Sequence, residues 1–214
     1  PQRTEEEVLK SWQANKSYQK TKKKLLNRPK FYFLDGPPYV SAAPHVGTAW
    51  NKTLKDVVIR YWRMKGFNVR DQPGYDCHGL PVEVMVEKAL NVATKKDIEN
   101  VVGIGRFIEE CKKYARDYVE AQTKTFKDIG VWMDWDRPYI TYEDSYIESV
   151  WWTIKRANEK KLLSKGVRVV HWCSRCETAL AGYEVTDEYR MVSDFSIYVK
   201  LPLLDKPDES ILIW

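Results

Sequence analysis

The sequence predicts an α/β fold, a parallel β-α-β unit with further helices, followed after residue 165 by a smaller β-rich segment. Three observations predict it. A short apolar run, Phe31-Tyr32-Phe33-Leu34, leads through Asp35-Gly36-Pro37-Pro38-Tyr39 into a helical pattern. A second strand-like run, Asn68-Val69-Arg70, follows that helix, and two strands joined in this way pair in parallel through a right-handed crossover. Helical periodicity then holds to about residue 161, and after Gly166 the texture changes to short β runs separated by turn residues.

Taken in order, Thr4 and Glu7 match a capping box, and Val8 and Trp12 begin an apolar stripe. The basic run from Lys20 to Lys24 reads as a solvated helix face or linker, with nucleic-acid contact the lesser alternative. Residues 1–30 are therefore expected to form an N-terminal helical extension. Residues 31–34 read as a short buried strand by length and aromatic content. Over 49–65, Trp50, Leu54, Val57, Val58, Tyr61 and Trp62 recur at helical spacing, and Gly66 is a natural stop. Residues 79–89 and 105–127 read as helices. A further helix over 143–161 has acids in its first turn and Lys in its last, with Ile147, Val150, Trp151 and Ile154 expected inward. Residues 31–165 thus form one α/β region. Runs at 167–171, 196–201 and 211–214 read as short strands, so 166–214 is expected to begin a β-rich insertion. Most of the nine Trp sit at helical or strand spacing and are expected in the core.

With 43% hydrophobic and 30% charged residues over 214 positions, the composition is that of a soluble globular chain. It is long enough for one large domain, or one domain and part of another. There is no run of 18 apolar residues and no signal-peptide pattern, so a cytoplasmic protein without a membrane partner is expected. Cys77 and Cys111 stand alone, whereas Cys173 and Cys176 form a C-x-x-C, which in a reducing compartment more often binds metal than closes a disulfide. The net charge of +5 mildly favours a polyanionic partner and decides little. Residue 1 is Pro, and the closing run Ser210-Ile211-Leu212-Ile213-Trp214 is strand-like to its end, so a fragment of a longer polypeptide is expected.

Pro44-His45-Val46-Gly47-Thr48 opens the helix after the first strand. A helix start favours an anion through its free N–H groups and positive dipole end. Taken alone, H-V-G-T is a weak signal, and a His at that place reads more readily as a helix cap than as a phosphate ligand. Asp76 follows the second strand, where a carboxylate suits an ammonium group or a loop cap. The C-x-x-C supplies two of the four ligands that structural zinc takes. His171 is tightly spaced to be a third and reads more plainly as an exposed strand residue.

The stretch FYFLDGPPYVSAAPHVGTAWNKTLKDVVIRYWRMKGFNV, followed by GYDCHGLPVEVMVEK, resembles the class I aminoacyl-tRNA synthetases at their first signature. Within that class it is similar to the isoleucine-specific enzymes, whose pattern runs DGPPYAxGxxHxGHxxNKxxKD and then GWDxHGLPxE. The blocks at 130–136, GVWMDWD, and 173–180, CSRCETAL, extend the likeness over nearly the whole chain. The resemblance implies the first half of a Rossmann-like catalytic domain and the start of an inserted editing (CP1-type) domain. It implies a monomer that activates isoleucine with ATP and Mg2+ and transfers it to tRNA-Ile. His45, Gly47 and Thr48 would contact ATP, with His45 and Thr48 catalytic, and Gly36, Pro37 and Asp76 would bind the amino acid. Cys173 and Cys176 would be half of a zinc site whose partner pair lies further along in that family.

Two residues depart from the pattern. Thr48 stands where a second His is usual, which weakens the expected phosphate contact. Tyr75 replaces a Trp and is expected to keep the aromatic wall. The chain carries no K-M-S-K-S-like lysine loop, so on its own it is expected to be catalytically deficient. A sister enzyme for leucine, valine or methionine is the nearest alternative, against which Asp76-Cys77-His78-Gly79-Leu80-Pro81 fits the isoleucine pattern better. A non-catalytic nucleotide- or tRNA-binding module is the other.

Overall fold

The computed structural model describes residues 2–185 and 191–214. The chain divides into two compact units, Pro1–Gly166 and Val167–Trp214.

In the first unit, α1 (Gln2–Ala14) and α2 (Ser17–Leu25) precede β1 (Lys30–Tyr32). Helix α3 (Val46–Met64) then crosses to β2 (Asn68–Arg70), which pairs with β1 in parallel, Tyr32 opposite Arg70. The crossover is the one the spacing predicts. Pairing continues past these strands, because Phe33 N–H donates to the Arg70 carbonyl at 3.2 Å and Asp76 N–H to the Pro38 carbonyl at 2.9 Å. On the far side of the 68–76 line, β3 (Gly74–Tyr75) pairs in parallel with β4 (Tyr139–Ile140). Between β3 and β4 run α4 (Leu80–Ala89), the short α5 (Lys95–Asp97), a π-turn over Ile98–Val102 and the long α6 (Ile104–Asp128). Helix α7 (Asp144–Glu159) follows. The main core gathers Val40, Ile59, Val69, Tyr75, Phe126 and Met133, and a smaller one holds Val86, Val92, Ile98 and Phe107.

Several expectations change. Thr4 lies inside α1, which begins at Gln2, so it does not cap; the capping box occurs at Thr94 and Asp97 instead. The basic run lies on α2, but Lys22 is turned inward to pair with Asp71 at 2.8 Å and Asp134 at 3.3 Å. The first strand is not buried throughout, since Tyr32 and Leu34 are exposed and only Phe31 and Phe33 pack on the core. Helix α3 presents the reverse of an ordinary amphipathic face. Its buried residues are Lys52, Asp56, Ile59 and Arg63, whereas Trp50, Leu54, Val57, Val58 and Tyr61 are exposed. The buried charges are stable there because each is paired: Lys52 with Asp35, Asp56 with Arg60, and Arg63 with Asp71.

Most of the tryptophans are not core residues, and among the described residues only Trp62 and Trp135 pack, half-buried, against the main core. Trp50, Trp151, Trp152, Trp172 and Trp214 are exposed. Trp12 and Trp132 meet edge to face at 5.0 Å, with the half-buried Arg60 guanidinium over both rings in a cation–π arrangement. Likewise Ile147, Val150, Trp151 and Ile154 of α7 face outward in this unit. Periodicity locates an apolar stripe but not what the stripe meets. None of the helices among the described residues is long and apolar enough to cross a membrane.

The second unit holds two antiparallel pairs, β5 (His171–Cys173) with β6 (Thr178–Leu180), and β7 (Val199–Pro202) with β8 (Ser210–Ile213). Only the last residue of the 167–171 run is in a strand, and β6, too short to show a period, is additional to the expected elements.

Candidate functional site

At the C-terminal end of the first strand the chain turns through 36–38 and meets the start of α3. Together Gly36, Pro37, Pro38, His45, Gly47, Thr48, Asn51, Lys52 and Lys55 line a cleft of about 260 Å³. A crevice outside the carboxyl ends of parallel strands is where α/β sheets bind ligands. His45 is the N-cap of α3, its imidazole Nδ1 accepting from Gly47 N–H at 3.1 Å and Thr48 N–H at 3.4 Å. The cap reading of this His is therefore what the structure contains. Two N–H groups that a bare helix start would offer an anion are occupied by the imidazole. Accepting at Nδ1 leaves the proton of neutral His45 on Nε2, the donor free for a ligand. Gly47 is required by the same fold-back, because a Cβ there would stand 2.9 Å from His45 Cε1.

Beneath the turn lies a group the sequence motifs leave without a role. The fully buried Asp35 carboxylate accepts from Lys52 Nζ at 2.5 Å, Lys55 Nζ at 2.8 Å and Gly74 N–H at 3.0 Å. The Tyr139 hydroxyl donates to the Asp35 carbonyl, and Lys55 Nζ also reaches the Gly36 carbonyl at 2.7 Å. Burial holds the Lys52 ammonium below its ordinary pKa, against the opposing pull of Asp35. The 39–42 loop leading to His45 is pinned by α6: buried Gln122 donates to the carbonyls of Tyr39 at 2.8 Å and Ala42 at 3.2 Å, and the Tyr114 hydroxyl to that of Ser41 at 2.7 Å.

Asp76 does not line the cleft. It is half-buried one strand over, bridged through its backbone to Pro38 and Val40, and its Oδ1 accepts from His78 N–H at 3.5 Å. Tyr75 is no wall of the cleft either, being wholly buried with its hydroxyl 2.5 Å from Thr123 Oγ1. Neighbouring Cys77 is a core residue, its thiol pushed up to about 12 by burial first and by the Asp76 carboxylate second. His78 is exposed.

In the second unit, Cys173 and Cys176 flank the β5–β6 turn, and Cys176 N–H donates to Cys173 Sγ at 3.3 Å. That backbone bond draws the Cys173 thiol below its ordinary pKa, while burial pushes that of Cys176 up. An N–H-stabilised sulfur in a tight turn suits a metal ligand. Among the described residues no third His, Cys, Asp or Glu joins them, and His171 lies exposed in β5.

The family model for class I tRNA synthetases (I, L, M and V) matches residues 7–201. The chain belongs to this family. Curated relatives of this synthetase chain include an isoleucine–tRNA ligase of Pyrococcus abyssi, 55% identical over 214 residues, covering 100% of this chain and 20% of the relative. Another, from Methanocaldococcus jannaschii, is 49% identical over 210 residues, covering 98% of this chain and 20% of the relative. The synthetase chain thus spans about one fifth of the length of the curated relatives it matches. Among solved structures, the LeuRS of Agrobacterium radiobacter K84, in a ternary complex with tRNA and LeuAMS, superposes with a TM-score of 0.58 at 20% identity. It covers 86% of this chain and 21% of that one, a likeness of fold.

For this synthetase, sequence reasoning brought Gly36, Pro37, His45, Gly47 and Thr48 to one place, where the structure gathers them. It missed Asp35, Lys52, Lys55 and Gln122. A signal for the lysines exists: Thr48, Asn51, Lys52 and Lys55 fall at i, i+3, i+4 and i+7, one stripe of α3.

Proposed function

We propose that this chain is part of an isoleucine–tRNA ligase, carrying one wall of the site that joins isoleucine to ATP before transfer to tRNA-Ile. The observation that carries the reading is the cleft itself, in which the 36–38 turn and the His45 cap face one another on the first crossover. Identity of 55% to a curated isoleucine–tRNA ligase over the whole chain supports isoleucine over leucine, valine or methionine.

In such a reaction the amino-acid carboxylate attacks the α-phosphorus of ATP, a new P–O bond forms, and the bond to pyrophosphate breaks. Positioning and charge stabilisation carry most of that chemistry. His45 donates from Nε2 to phosphate oxygens, and Thr48 offers a hydroxyl at the same helix start. The exposed Gly36 lets a substrate approach the backbone, and Pro37 gives a branched side chain an apolar surface. Asp76 lies outside the cleft lining, one strand over and tied to the turn only through its backbone bond to Pro38, and would supply the counter-charge to an ammonium group of a substrate that extends past the turn. Mg2+ bound to ATP would supply charge neutralisation at the phosphates, and no residue here is assigned to it. Cys173 and Cys176 would hold one side of a structural zinc, which would pin the β5–β6 turn. Residues 166–214 would begin an editing insertion, and residues 1–30 a helical extension of the catalytic domain. The working enzyme would be a cytoplasmic monomer.

Amino-acid-dependent exchange of pyrophosphate into ATP, measured on a polypeptide of the curated relatives' length carrying this chain, tests the reading. Exchange driven by isoleucine is expected, and none from residues 1–214 alone. Exchange with leucine but not isoleucine would overturn the specificity.

A further inference from the structure

We propose that Lys55 is a positioning residue for the amino-acid end of the cleft, holding the 36–38 turn against α3 through the Gly36 carbonyl and the Asp35 carboxylate. The inference rests on the reading of this cleft as an amino-acid-activating site.

Two ammonium groups meet one carboxylate here, with Lys52 Nζ at 2.5 Å from Asp35 Oδ2 and Lys55 Nζ at 2.8 Å from Oδ1. One cation is enough to neutralise Asp35, and Lys52, 1% exposed, is the one sealed in with it. Gly74 N–H at 3.0 Å is a second donor to Asp35 Oδ2, and the third to the carboxylate. Removing Lys55 therefore leaves no buried charge without a partner. Its side chain is 19% exposed and lines the cleft, and its second bond, 2.7 Å to the Gly36 carbonyl, goes to the turn that underlies the substrate. A charge-assisted bond from a helix to a turn carbonyl fixes the distance between them. Helix α3 carries His45 and Thr48 at its start, so Lys55 sets the separation between the nucleotide end and the amino-acid end of one site.

The same dependence on geometry gives the test. Lys55→Met keeps length and removes the donor, and Lys55→Arg keeps the charge and the donor. In the full-length enzyme, Lys55→Met is expected to raise the isoleucine KM in pyrophosphate exchange about tenfold and the ATP KM less than about threefold, with the thermal midpoint near wild type. Lys55→Arg is expected to return the isoleucine KM to within about threefold of wild type. The proposal is overturned if Lys55→Met leaves the isoleucine KM within about twofold of wild type. It is equally overturned if both KM values rise together with a fallen midpoint and Arg gives no rescue, which is what a purely structural role produces. Wild-type exchange with another amino acid in place of isoleucine would revise the specificity while the same variants, measured with that substrate, still decide the role of Lys55. No exchange with any amino acid would remove both readings.

Discussion

His45 does two things with one ring. Nδ1 closes the first turn of α3, and on the proposed reading Nε2 donates to a phosphate oxygen. The cap is worth about 1 kcal/mol by the usual effect of removing an N-cap side chain. A donor to developing phosphate charge is worth far more, a factor of roughly 10² to 10³ in rate when lost. His45→Ala in the full-length enzyme is accordingly expected to lower kcat/KM for exchange by about 10²-fold or more, with only a small fall in thermal midpoint. Exchange kinetics equal to wild type would show that the ring serves the helix alone. Gly47 belongs to the same unit, since any larger residue would push on the imidazole it has to accommodate.

Strand β3 shows how closely the sheet that carries the cleft is built. A Cβ on Gly74 would stand 2.0 Å from Cζ of Tyr139, directly across the β3–β4 pairing, a ring held in place by its hydroxyl bond to the Asp35 carbonyl and its stacking on Tyr146. Gly74→Ala is expected to destabilise the first unit by about 3 kcal/mol, the upper end of overpacking costs. A urea midpoint within error of wild type would contradict this. The crossover of β1, α3 and β2 was legible from pattern alone, because strand, turn, helix and strand each have a distinct local signature. The facing of α3 was not. Trp50, Leu54, Val57, Val58 and Tyr61 make the stripe that periodicity detects, yet the opposite face is buried because, beyond their nearer ion pairs, Asp56 accepts from Trp132 N–H, Arg63 donates to the Trp132 carbonyl and Lys52 reaches back to Asp35. Pairing of that kind leaves no local trace. For the same reason the Gly36, Pro37 and His45 wall was readable from its motif, whereas Asp35 beneath it became visible only once its lysines were in place.

Across the first unit, burial acts on titration in one direction for several groups. Cys77 is pushed up to about 12 from an ordinary 9.0, Cys111 to about 11, and Tyr75 to about 12 from 10.0, each chiefly by desolvation. A folded chain keeps these protons where an unfolded chain releases them. Their contribution is complete below the unfolded values and is lost as pH rises through the folded ones. Stability is therefore expected to fall between pH 9 and pH 12, and Cys77→Ala to make the fall shallower, as measured by urea midpoints across that range. A steeper decline in the variant would reverse the assignment. The second unit is built differently. Its β7 and β8 are exposed along their whole length, and Cys176 is the one hydrophobic residue buried there among the described residues.

If, as proposed, ATP meets this helix start, the imidazole folded onto it also makes the helix compete with its own ligand. An incoming phosphate that seeks Gly47 N–H and Thr48 N–H finds a placeholder already seated. Binding there is an exchange of partners rather than the filling of a vacancy, and its affinity is the difference between two occupants. An anion that leaves the ring in place and accepts only from Nε2 avoids that exchange, so the side chain selects among approaches as well as among charges.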